Sequence, residues 1–416
     1  MTPVRRIAGS DVSDVARVTS RWVFPVDQPP IEDGIVEVAD GRIVSVGQGV
    51  RAADSATLDL GNVALLPALV NAHAHLEFSD LDQPIQPAAP FTEWIRNLMS
   101  RRRERTQSWN ELVIEGMREA ALSGTGLIGE IATGDWSAEA LAMDRRSTAG
   151  NAECDAPTLV AFRELIGLRP EQVGEQLAIA ERHIVECRDA CERGSRIVPA
   201  LSPHAPYSVS PQLFQEAVEL ARREAVPLCI HLAETPAELE LLDQGTGEFV
   251  EMLKRLELWR DDLFERGSRP LDYLCPLESL GHALIAHGNY LSSDEVDWLG
   301  SHSNVAAVFC PRTHTFFGHA AHPWQDLLDA GANVCLGTDG RSSNPDYSLW
   351  LELKFLASQV SSSHRSELLS MATLRGAQAL GQADHFGSLA AGKRADFCAV
   401  DLDHAGARQT LQSMTD

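Results

Sequence analysis

An alternation of short apolar runs with longer amphipathic segments, sustained from about residue 67 to residue 381, most constrains the fold of this chain. Repeated strand–helix units of this kind are typical of α/β proteins with a parallel sheet. Eight runs predict strands, at residues 68–72, 126–131, 158–162, 197–201, 227–232, 283–287, 305–309 and 333–336. Because eight strands alternate with helices, we expect a closed (β/α)8 TIM barrel rather than an open doubly wound sheet.

The two ends of the chain have a different residue pattern. The length of 416 residues is enough for a barrel of ~250 residues plus an accessory unit. Residues 16–66 contain short β-like runs separated by turn residues, which predict a small antiparallel sheet. A residue pattern typical of strands occurs again after about residue 382. We therefore predict a composite β-sandwich domain from residues 1–66 and 382–416, beside a catalytic barrel over residues 67–381. The long connection at residues 235–280 predicts an excursion near the barrel mouth.

Composition and charge argue against several classes of function. The net charge of −24 disfavours nucleic acid and anionic membrane surfaces as partners, because both require basic patches. The three arginines at 101–103 are therefore interpreted as a solvated helix face or a local ion-pair site. No apolar stretch approaches the ~18 residues of a membrane span. Eight cysteines without a C-x-x-C motif indicate reduced thiols and a cytoplasmic location, whereas homo-oligomerisation is left open.

Polar side chains occur at the carboxyl ends of five predicted strands, which is the face of a (β/α)8 barrel where chemistry takes place. His73 and His75 end the first strand, and residues two apart on an extended segment point the same way. The other groups follow the fourth, fifth, sixth and eighth strands: His204, His231 with Glu234, His287, and Asp339. Chance placement of 14 histidines would not favour this one end of the barrel.

Four of these side chains predict a metal site with one position left for water. They are three imidazoles and one carboxylate, a set suited to zinc or ferrous iron: His73, His75, His231 and Asp339. Metal-bound water can ionise near neutral pH and become a nucleophile. Glu234 is close enough in sequence to His231 to take the water proton and pass it to the substrate. His287 can orient the nucleophile, so the predicted catalytic groups are Glu234, His287 and Asp339.

Each of these residues also has a structural interpretation when taken alone. A histidine can be a capped or core residue, and Asp339 in a Gly-Thr-Asp-Gly turn can simply satisfy backbone donors. The set is favoured because its members support one another. The only lysines are Lys254, Lys354 and Lys393, and none ends a predicted strand. A lysine-bridged metal pair is therefore not expected, and we predict one divalent ion, with zinc preferred and iron as the alternative.

Together these motifs resemble the amidohydrolase superfamily, specifically its aminohydrolase branch with a single metal ion. The matching segments are residues 71–75, 203–208, 231–235, 287–288 and 337–339, and residues 387–397 resemble the family's return into the small β domain. The resemblance implies hydrolytic deamination of a purine, pyrimidine or triazine ring amine, with Glu234 as proton shuttle. Related members remove chloride from triazines instead.

The predicted partner is a small heterocyclic substrate, contacted by His204, Glu164 and Arg341. Residues 71–80, 91–95 and 162–167 are similar to the aminodeoxyfutalosine deaminases, which makes such a nucleoside one candidate. Residues 310–319 and 340–343 depart from the pattern of well-studied deaminases and lie where substrate recognition is expected.

Three alternatives remain open at this point. One is a chlorohydrolase on the same site, a second is a hydrolase of a carbon–sulfur or cyclic-amide bond, and a third is a non-enzymatic barrel. Glu234 favours deamination, because expelling ammonia requires proton delivery to the leaving nitrogen. The histidines that follow the seventh strand are interpreted either as pocket lining or as a network behind the ligands: His314, His319 and His322.

Overall fold

The structure is a computed structural model, and it describes residues 4–49, 56–147, 156–360 and 364–402. The described strands divide into a seven-stranded sheet and an eight-stranded sheet. In chain order they are β1 (Val4–Ile7), β2 (Arg17–Val23), β3 (Ile31–Ala39), β4 (Arg42–Gln48), β5 (Thr57–Asp59), β6 (Val63–Pro67), β7 (Leu69–Ala74), β8 (Thr125–Ala132), β9 (Thr158–Leu165), β10 (Ile197–Pro203), β11 (Leu228–Leu232), β12 (Ala283–His287), β13 (Val305–Phe309), β14 (Asn333–Leu336) and β15 (Phe397–Asp401).

The described α-helices follow the strands in the order expected of repeated strand–helix units. They are α1 (Phe91–Glu104), α2 (Trp109–Leu122), α3 (Ala138–Ser147), α4 (Pro170–Glu192), α5 (Pro211–Glu224), α6 (Pro236–Gln244), α7 (Glu248–Arg255), α8 (Pro270–Leu274), α9 (Ser293–Ser301), α10 (Pro311–Phe317), α11 (Trp324–Asp329), α12 (Leu349–Ala357), α13 (Arg365–Met371) and α14 (Leu374–Ala379). Within the described part of the chain, no helix is long and apolar enough to cross a membrane.

The larger sheet is a parallel barrel in which β7 to β14 pair in chain order. All eight strands predicted from the apolar runs are present, and the third and fourth extend three and two residues further than expected. They extend because the ladder between β9 and β10 continues to the pair Leu165 and Pro203. A parallel bridge between Ala74 and Asp339 joins β7 to the segment after β14. The prediction of a (β/α)8 barrel is confirmed.

Buried apolar side chains explain why these strands could be predicted from the sequence. Every residue of β8, β11, β12, β13 and β14 is buried, as expected for a parallel sheet covered on both faces. One apolar cluster takes alternate residues from the strands, such as Leu127 and Ile131, and includes Leu380 and Phe386 from the chain after β14. The interior is therefore packed, and polar groups are left to the strand ends.

The smaller sheet has the order β1-β15-β6-β2-β3-β4, with β5 also paired to β2. Strands from both chain ends therefore share one sheet, and the buried ion pair between Arg6 and Asp396 joins the two ends at 2.5 Å. The antiparallel sheet expected for residues 16–66 is corrected on one point. β2 pairs in parallel with β5 and β6, because the chain crosses over through β3 and β4. Residues 403–416 of the predicted domain lie outside the described part.

The connection after β11 carries the helices α6, α7 and α8, which is the excursion expected from its length. α7 packs against α1 over the mouth of the barrel. Thr92 donates to the Glu248 carboxylate at 2.9 Å, and the rings of Phe91 and Phe249 lie 6.3 Å apart. These two helices therefore form one wall of the space above the strand ends.

Candidate active site

Three imidazoles converge at the carboxyl end of the barrel. His73 lies on β7, His75 follows that strand, and His231 lies on β11. One ring nitrogen of each lies within 4.8 Å of the others, and the Nε2 atoms of His75 and His231 are 3.2 Å apart. All three side chains are buried.

Asp339, which follows β14, completes the predicted ligand set. Its Oδ1 lies 3.9 Å from His73 Nε2 and 3.7 Å from His75 Nε2. The Ser343 hydroxyl donates to Asp339 Oδ2 at 3.0 Å, and the Gly340 amide donates to Oδ1 at 2.9 Å. Burial raises the pKa of Asp339 to about 7. The structure thus brings together all four residues that the sequence analysis placed at one metal.

The protonation of these groups fits a divalent cation. Burial lowers the pKa of His73 and His75 well below the usual range and that of His231 to about 3, so each imidazole is neutral. His231 Nδ1 lies 3.1 Å from the His204 carbonyl, and only an N–H at Nδ1 can donate to that oxygen. The lone pair of His231 Nε2 therefore faces His75. A hydrogen bond from the other ring nitrogen to a carbonyl fixes the tautomer of a metal-binding histidine.

Buried ring nitrogens without hydrogen-bond partners also indicate that these histidines could hold a metal ion. Both ring nitrogens of His73 and Nδ1 of His75 are buried and have no hydrogen-bond partner among the described residues. In a tetrahedral zinc site with bonds of ~2.0–2.1 Å, ligand nitrogens lie ~3.3 Å apart. The 3.2 Å between His75 and His231 matches that spacing. The donor set present therefore fits one divalent ion such as zinc.

Glu234 and His287 lie beside the ligand set. Glu234 Oε1 is 3.5 Å from His287 Nε2, and their side chains are only 6% and 4% exposed. Burial raises the pKa of Glu234 well above its usual range, and the charges of Asp339 and Glu238 raise it further. A carboxyl group with a raised pKa can accept a proton and return it within one reaction cycle.

The turn that carries Glu234 is held by a residue that the sequence analysis missed. Glu238 is fully buried, and its carboxylate accepts the amide of Ala233 at 2.8 Å and that of Glu234 at 3.0 Å. Ala233 has a φ of 53°, which a residue with a side chain rarely adopts. The available signal was the Thr235-x-x-Glu238 spacing, which is typical of a helix N-terminus. Glu238 thus supports both that terminus and the turn before it.

A largely apolar pocket leads to these groups. Its lining includes a stripe on α1 with helical spacing: Phe91, Trp94, Ile95, Leu98 and Met99. Met252 and Leu253 from α7 and Leu256, which follows that helix, line the pocket as well. His75, His231, Glu234, His287 and Asp339 all reach the same pocket. A substrate here would meet the candidate metal ligands at one end and apolar side chains along the wall.

Arg102 corrects the interpretation of the arginine run at 101–103. It continues the α1 stripe and lines the pocket. Its Nη2 and Nε donate to Glu77 at 2.6 and 3.3 Å, while Arg101 pairs with Asp80 at 2.9 Å. The ion-pair interpretation therefore describes part of the run, but a solvated face does not describe Arg102. The helical spacing of the apolar residues that begins at Phe91 could have shown that Arg102 lies on the same face of α1.

Of the predicted substrate contacts, His204 lines the pocket. Its Nδ1 lies 2.6 Å from the Ser208 hydroxyl, and burial lowers its pKa to about 3. Glu164 lies next to it, with Oε1 at 3.9 Å from His204 Nε2 and a side chain 8% exposed. Burial raises the pKa of Glu164. These two residues lie together, as expected for neighbouring strand ends, although Glu164 itself is not among the described residues that line the pocket.

Arg341 does not belong to the site, and the prediction of a substrate contact for it is corrected. Its Nη1 donates to the Leu81 carbonyl at 2.9 Å, and its Nη2 donates to Glu119 at 2.7 Å. It is absent from the described residues that line the pocket, where its neighbour Ser342 is present. Asp339 has a φ of 58°, and the amides of Ser343 and Asn344 close a turn, which contains Arg341, onto the Gly340 carbonyl.

The three histidines after β13 lie close to one another on the side of His287, away from the candidate metal ligands. His322 Nε2 lies 2.7 Å from the His287 carbonyl, and the Tyr290 hydroxyl lies 3.2 Å from His319 Nδ1. The rings of His314 and His319 are 5.4 Å apart. Since none of the three is among the described pocket-lining residues, the alternative of pocket lining is not supported.

Comparison with known proteins places these residues in a family context. The model of the amidohydrolase family matches residues 64–416. A 5-methylthioadenosine/S-adenosylhomocysteine deaminase of Syntrophobacter fumaroxidans is 30% identical over 387 residues, with 89% of this chain and 80% of the relative covered. The protein of the same name from Moorella thermoacetica is 28% identical over 394 residues, with 91% and 84% covered.

Solved structures have the same fold over nearly the whole chain. Helicobacter pylori aminofutalosine deaminase in complex with methylthio-coformycin has a TM-score of 0.79 at 23% identity, with 96% of this chain and 95% of that chain covered. An atrazine chlorohydrolase of Arthrobacter aurescens complexed with zinc has a TM-score of 0.73 at 20% identity, with 97% and 90% covered. The resemblance expected from the motifs is confirmed, and the chain belongs to the amidohydrolase family.

Proposed function

We propose that the protein is a metal-dependent hydrolase of carbon–nitrogen bonds that removes the amine from a purine-like heterocyclic ring. The observation that carries this proposal is the position of Glu234, 3.5 Å from His287 and in one pocket with the candidate metal ligands. The relatives named as deaminases support the same reaction class.

His73, His75, His231 and Asp339 would hold one divalent ion, for which zinc is the best match to the donor set. When bound, such an ion supplies Lewis acidity that activates water near neutral pH. Neutral imidazoles suit this role because their lone pairs are free, and burial keeps the three histidines neutral.

Glu234 carries the proton in the proposed reaction. Water adds to the amine-bearing ring carbon, and Glu234 takes one of its protons. Glu234 then delivers that proton to the leaving nitrogen, the carbon–nitrogen bond breaks, and ammonia departs. The second proton of the water passes to the adjacent ring nitrogen, so that a ring carbonyl and a ring N–H remain. His287 holds the Glu234 carboxyl and the incoming water in place. The raised pKa of Glu234 suits a group that must release its proton again within each cycle.

The pocket wall indicates the kind of ring substituent. The α1 and α7 side chains are apolar over several turns, and Arg102 places one cation among them. This lining suits a purine nucleoside with an extended, mostly apolar substituent. 5-Methylthioadenosine and aminodeoxyfutalosine are two such candidates, and His204 with Glu164 is positioned to hold polar atoms of the nucleoside.

The test is a substrate panel on protein of measured metal content. The panel contains adenosine, 5-methylthioadenosine, S-adenosylhomocysteine, aminodeoxyfutalosine and atrazine, and both ammonia and chloride are measured. We expect ammonia from a purine nucleoside and none with Glu234→Gln. Chloride from atrazine, with no ammonia from any ring amine, would favour a chlorohydrolase. A full metal complement with neither product would contradict the deaminase proposal.

A further inference from the structure

His287 has a backbone conformation that needs external support. Its φ is 71°. The Gly288 amide donates to the Ala286 carbonyl at 3.2 Å, so this bond joins the two residues on either side of His287. A positive φ with this bond is the pattern of a classic γ-turn, which is rare and strained. Strain of this kind persists at a residue with a side chain only where neighbouring groups hold it. The contacts of His287 therefore matter for the direction of its imidazole.

Two hydrogen bonds hold this turn from outside. The Gly288 amide donates to the Leu232 carbonyl at 3.0 Å, which ties the turn to β11. The His287 carbonyl is bound by His322, with the Nε2 atom 2.7 Å from the oxygen. His322 thus bonds to the carbonyl at the centre of the turn.

His322 is itself fixed in orientation. Its ring stacks on Phe309, with centroids 4.0 Å apart and planes inclined by 25°. Burial lowers its pKa to about 3, so the imidazole is neutral and has one N–H. Only a donor can bond to a carbonyl oxygen, so that N–H lies at Nε2. The remaining Nδ1 is buried without a partner in the described part of the chain.

We propose that His322 is a positioning residue for His287. Its Nε2–H holds the carbonyl of the strained turn, and the turn aims the His287 imidazole at Glu234, 3.5 Å away. This inference rests on the proposed function, because Glu234 is the proton carrier there. His322 lies in the stretch after β13 and touches neither the candidate metal ligands nor the pocket by any described contact.

The test compares two variants of His322 with a matched control. His322→Phe keeps a ring on Phe309 but removes the donor, whereas His322→Gln keeps an N–H at similar reach. The control is His302→Phe, since His302 also stacks on an aromatic ring, Trp298 at 3.9 Å, and its Nδ1 bonds to a backbone carbonyl at 2.7 Å. If His322→Phe does not fold, His322→Met replaces it as the variant without a donor.

We expect His322→Phe to lower kcat about 10–100-fold, as the loss of a hydrogen bond that orients an active-site histidine does, with KM and metal content nearly unchanged. His322→Gln should recover part of the loss, and His302→Phe should leave kcat unaltered. Equal losses in His322→Phe and His302→Phe would overturn the proposal, as would an unchanged kcat in His322→Phe.

Crystal structures separate this inference from the proposed function. In the wild type, the His287 imidazole should stay beside Glu234, and in His322→Phe it should move out of hydrogen-bond range. This readout needs no substrate. If no ring amine is turned over but His287 still moves, the proposed function fails and the positioning role stands. An unmoved His287 would overturn the positioning role.

Discussion

Asn71 and Thr338 exchange two hydrogen bonds across the seam of the barrel. Asn71 Nδ2 donates to the Thr338 hydroxyl at 2.8 Å, and the Thr338 amide donates to Asn71 Oδ1 at 3.1 Å. Both side chains are fully buried. Asn71 lies two residues before His73, and Thr338 immediately precedes Asp339. The pair therefore brings candidate ligands from the first and last barrel strands to one point.

Replacing Asn71 by alanine should weaken both the barrel seam and the metal site. The Thr338 amide and hydroxyl each lose one bond but keep another, to the His73 and Asp339 carbonyls at 3.1 Å each. Two lost hydrogen bonds cost about 1–3 kcal/mol of unfolding free energy. We expect denaturant unfolding at a lower midpoint and a lower affinity for zinc. Asn62→Ala is the control, because Asn62 bonds to the Leu402 carbonyl in the small sheet at 2.9 Å. Unaltered zinc affinity in Asn71→Ala would contradict the role given to this pair.

Removing the metal should lower thermal stability. A ligand bound only to the folded state stabilises it by about 4 kcal/mol at a thousandfold excess over its Kd. We therefore expect chelated protein to have a lower Tm, and added zinc to restore it. His75→Ala should have the low Tm with or without zinc. If chelation changes the Tm of the wild type and of His75→Ala equally, the ligand assignment is wrong.

Glu234→Gln should abolish turnover while the metal stays bound. Glutamine keeps the size of the side chain but cannot carry a proton, and general acid–base catalysis contributes about 10²–10⁴-fold. Metal analysis and ammonia release are measured on the same sample. Glu251→Gln on α7 is the control, because that side chain is 60% exposed. Turnover at the wild-type rate in Glu234→Gln would remove this residue from the mechanism.

Arg102→Ala should raise KM more than it lowers kcat. The guanidinium lines the pocket, and its bonds to Glu77 use Nε and Nη2, so Nη1 takes no part in that ion pair. We expect KM to rise about tenfold, equivalent to about 1.4 kcal/mol of substrate binding. Arg101→Ala is the matched control on the same helix, since Arg101 pairs with Asp80 instead. Equal effects of the two substitutions on KM would argue against a pocket role for Arg102.

Glu130 should make the fold less stable as pH rises. It is fully buried on β8, and burial raises its pKa well above the usual range. Above the unfolded pKa of ~4.3, the unfolded chain releases this proton more readily than the folded chain, so stability falls until the folded pKa is reached. Glutamine cannot ionise and can still accept the Leu76 amide, which lies 3.0 Å from Glu130 Oε2.

Glu130→Gln should therefore be more stable than the wild type at pH 8, and the difference should shrink toward pH 4. Chemical denaturation across this range measures the effect. Glu251→Gln serves again as the exposed control and should follow the wild type. A Glu130→Gln variant with the pH dependence of the wild type would show that this carboxyl does not titrate as inferred.

The strands and the ligand positions could be predicted because both are local properties. A strand buried on both faces is mostly apolar, and its functional polar residues gather toward its carboxyl end. The runs before His73, His231 and Asp339 have this form, so the barrel and its candidate metal ligands could be inferred before any contact was known. The His-x-His spacing needed only the two-residue period of a strand.

Sequence alone thus determined the barrel and predicted the candidate metal ligands and a candidate proton carrier, whereas the tertiary structure decided the surroundings. Arg341 was expected at the substrate but pairs with Glu119, 222 residues away. Arg102, from a run interpreted as a solvated face or an ion-pair site, pairs with Glu77 and also lines the pocket. His322 meets the His287 carbonyl across 35 residues. The physical reason is that a turn after a strand can send a side chain to either side, and only packing between distant segments selects one.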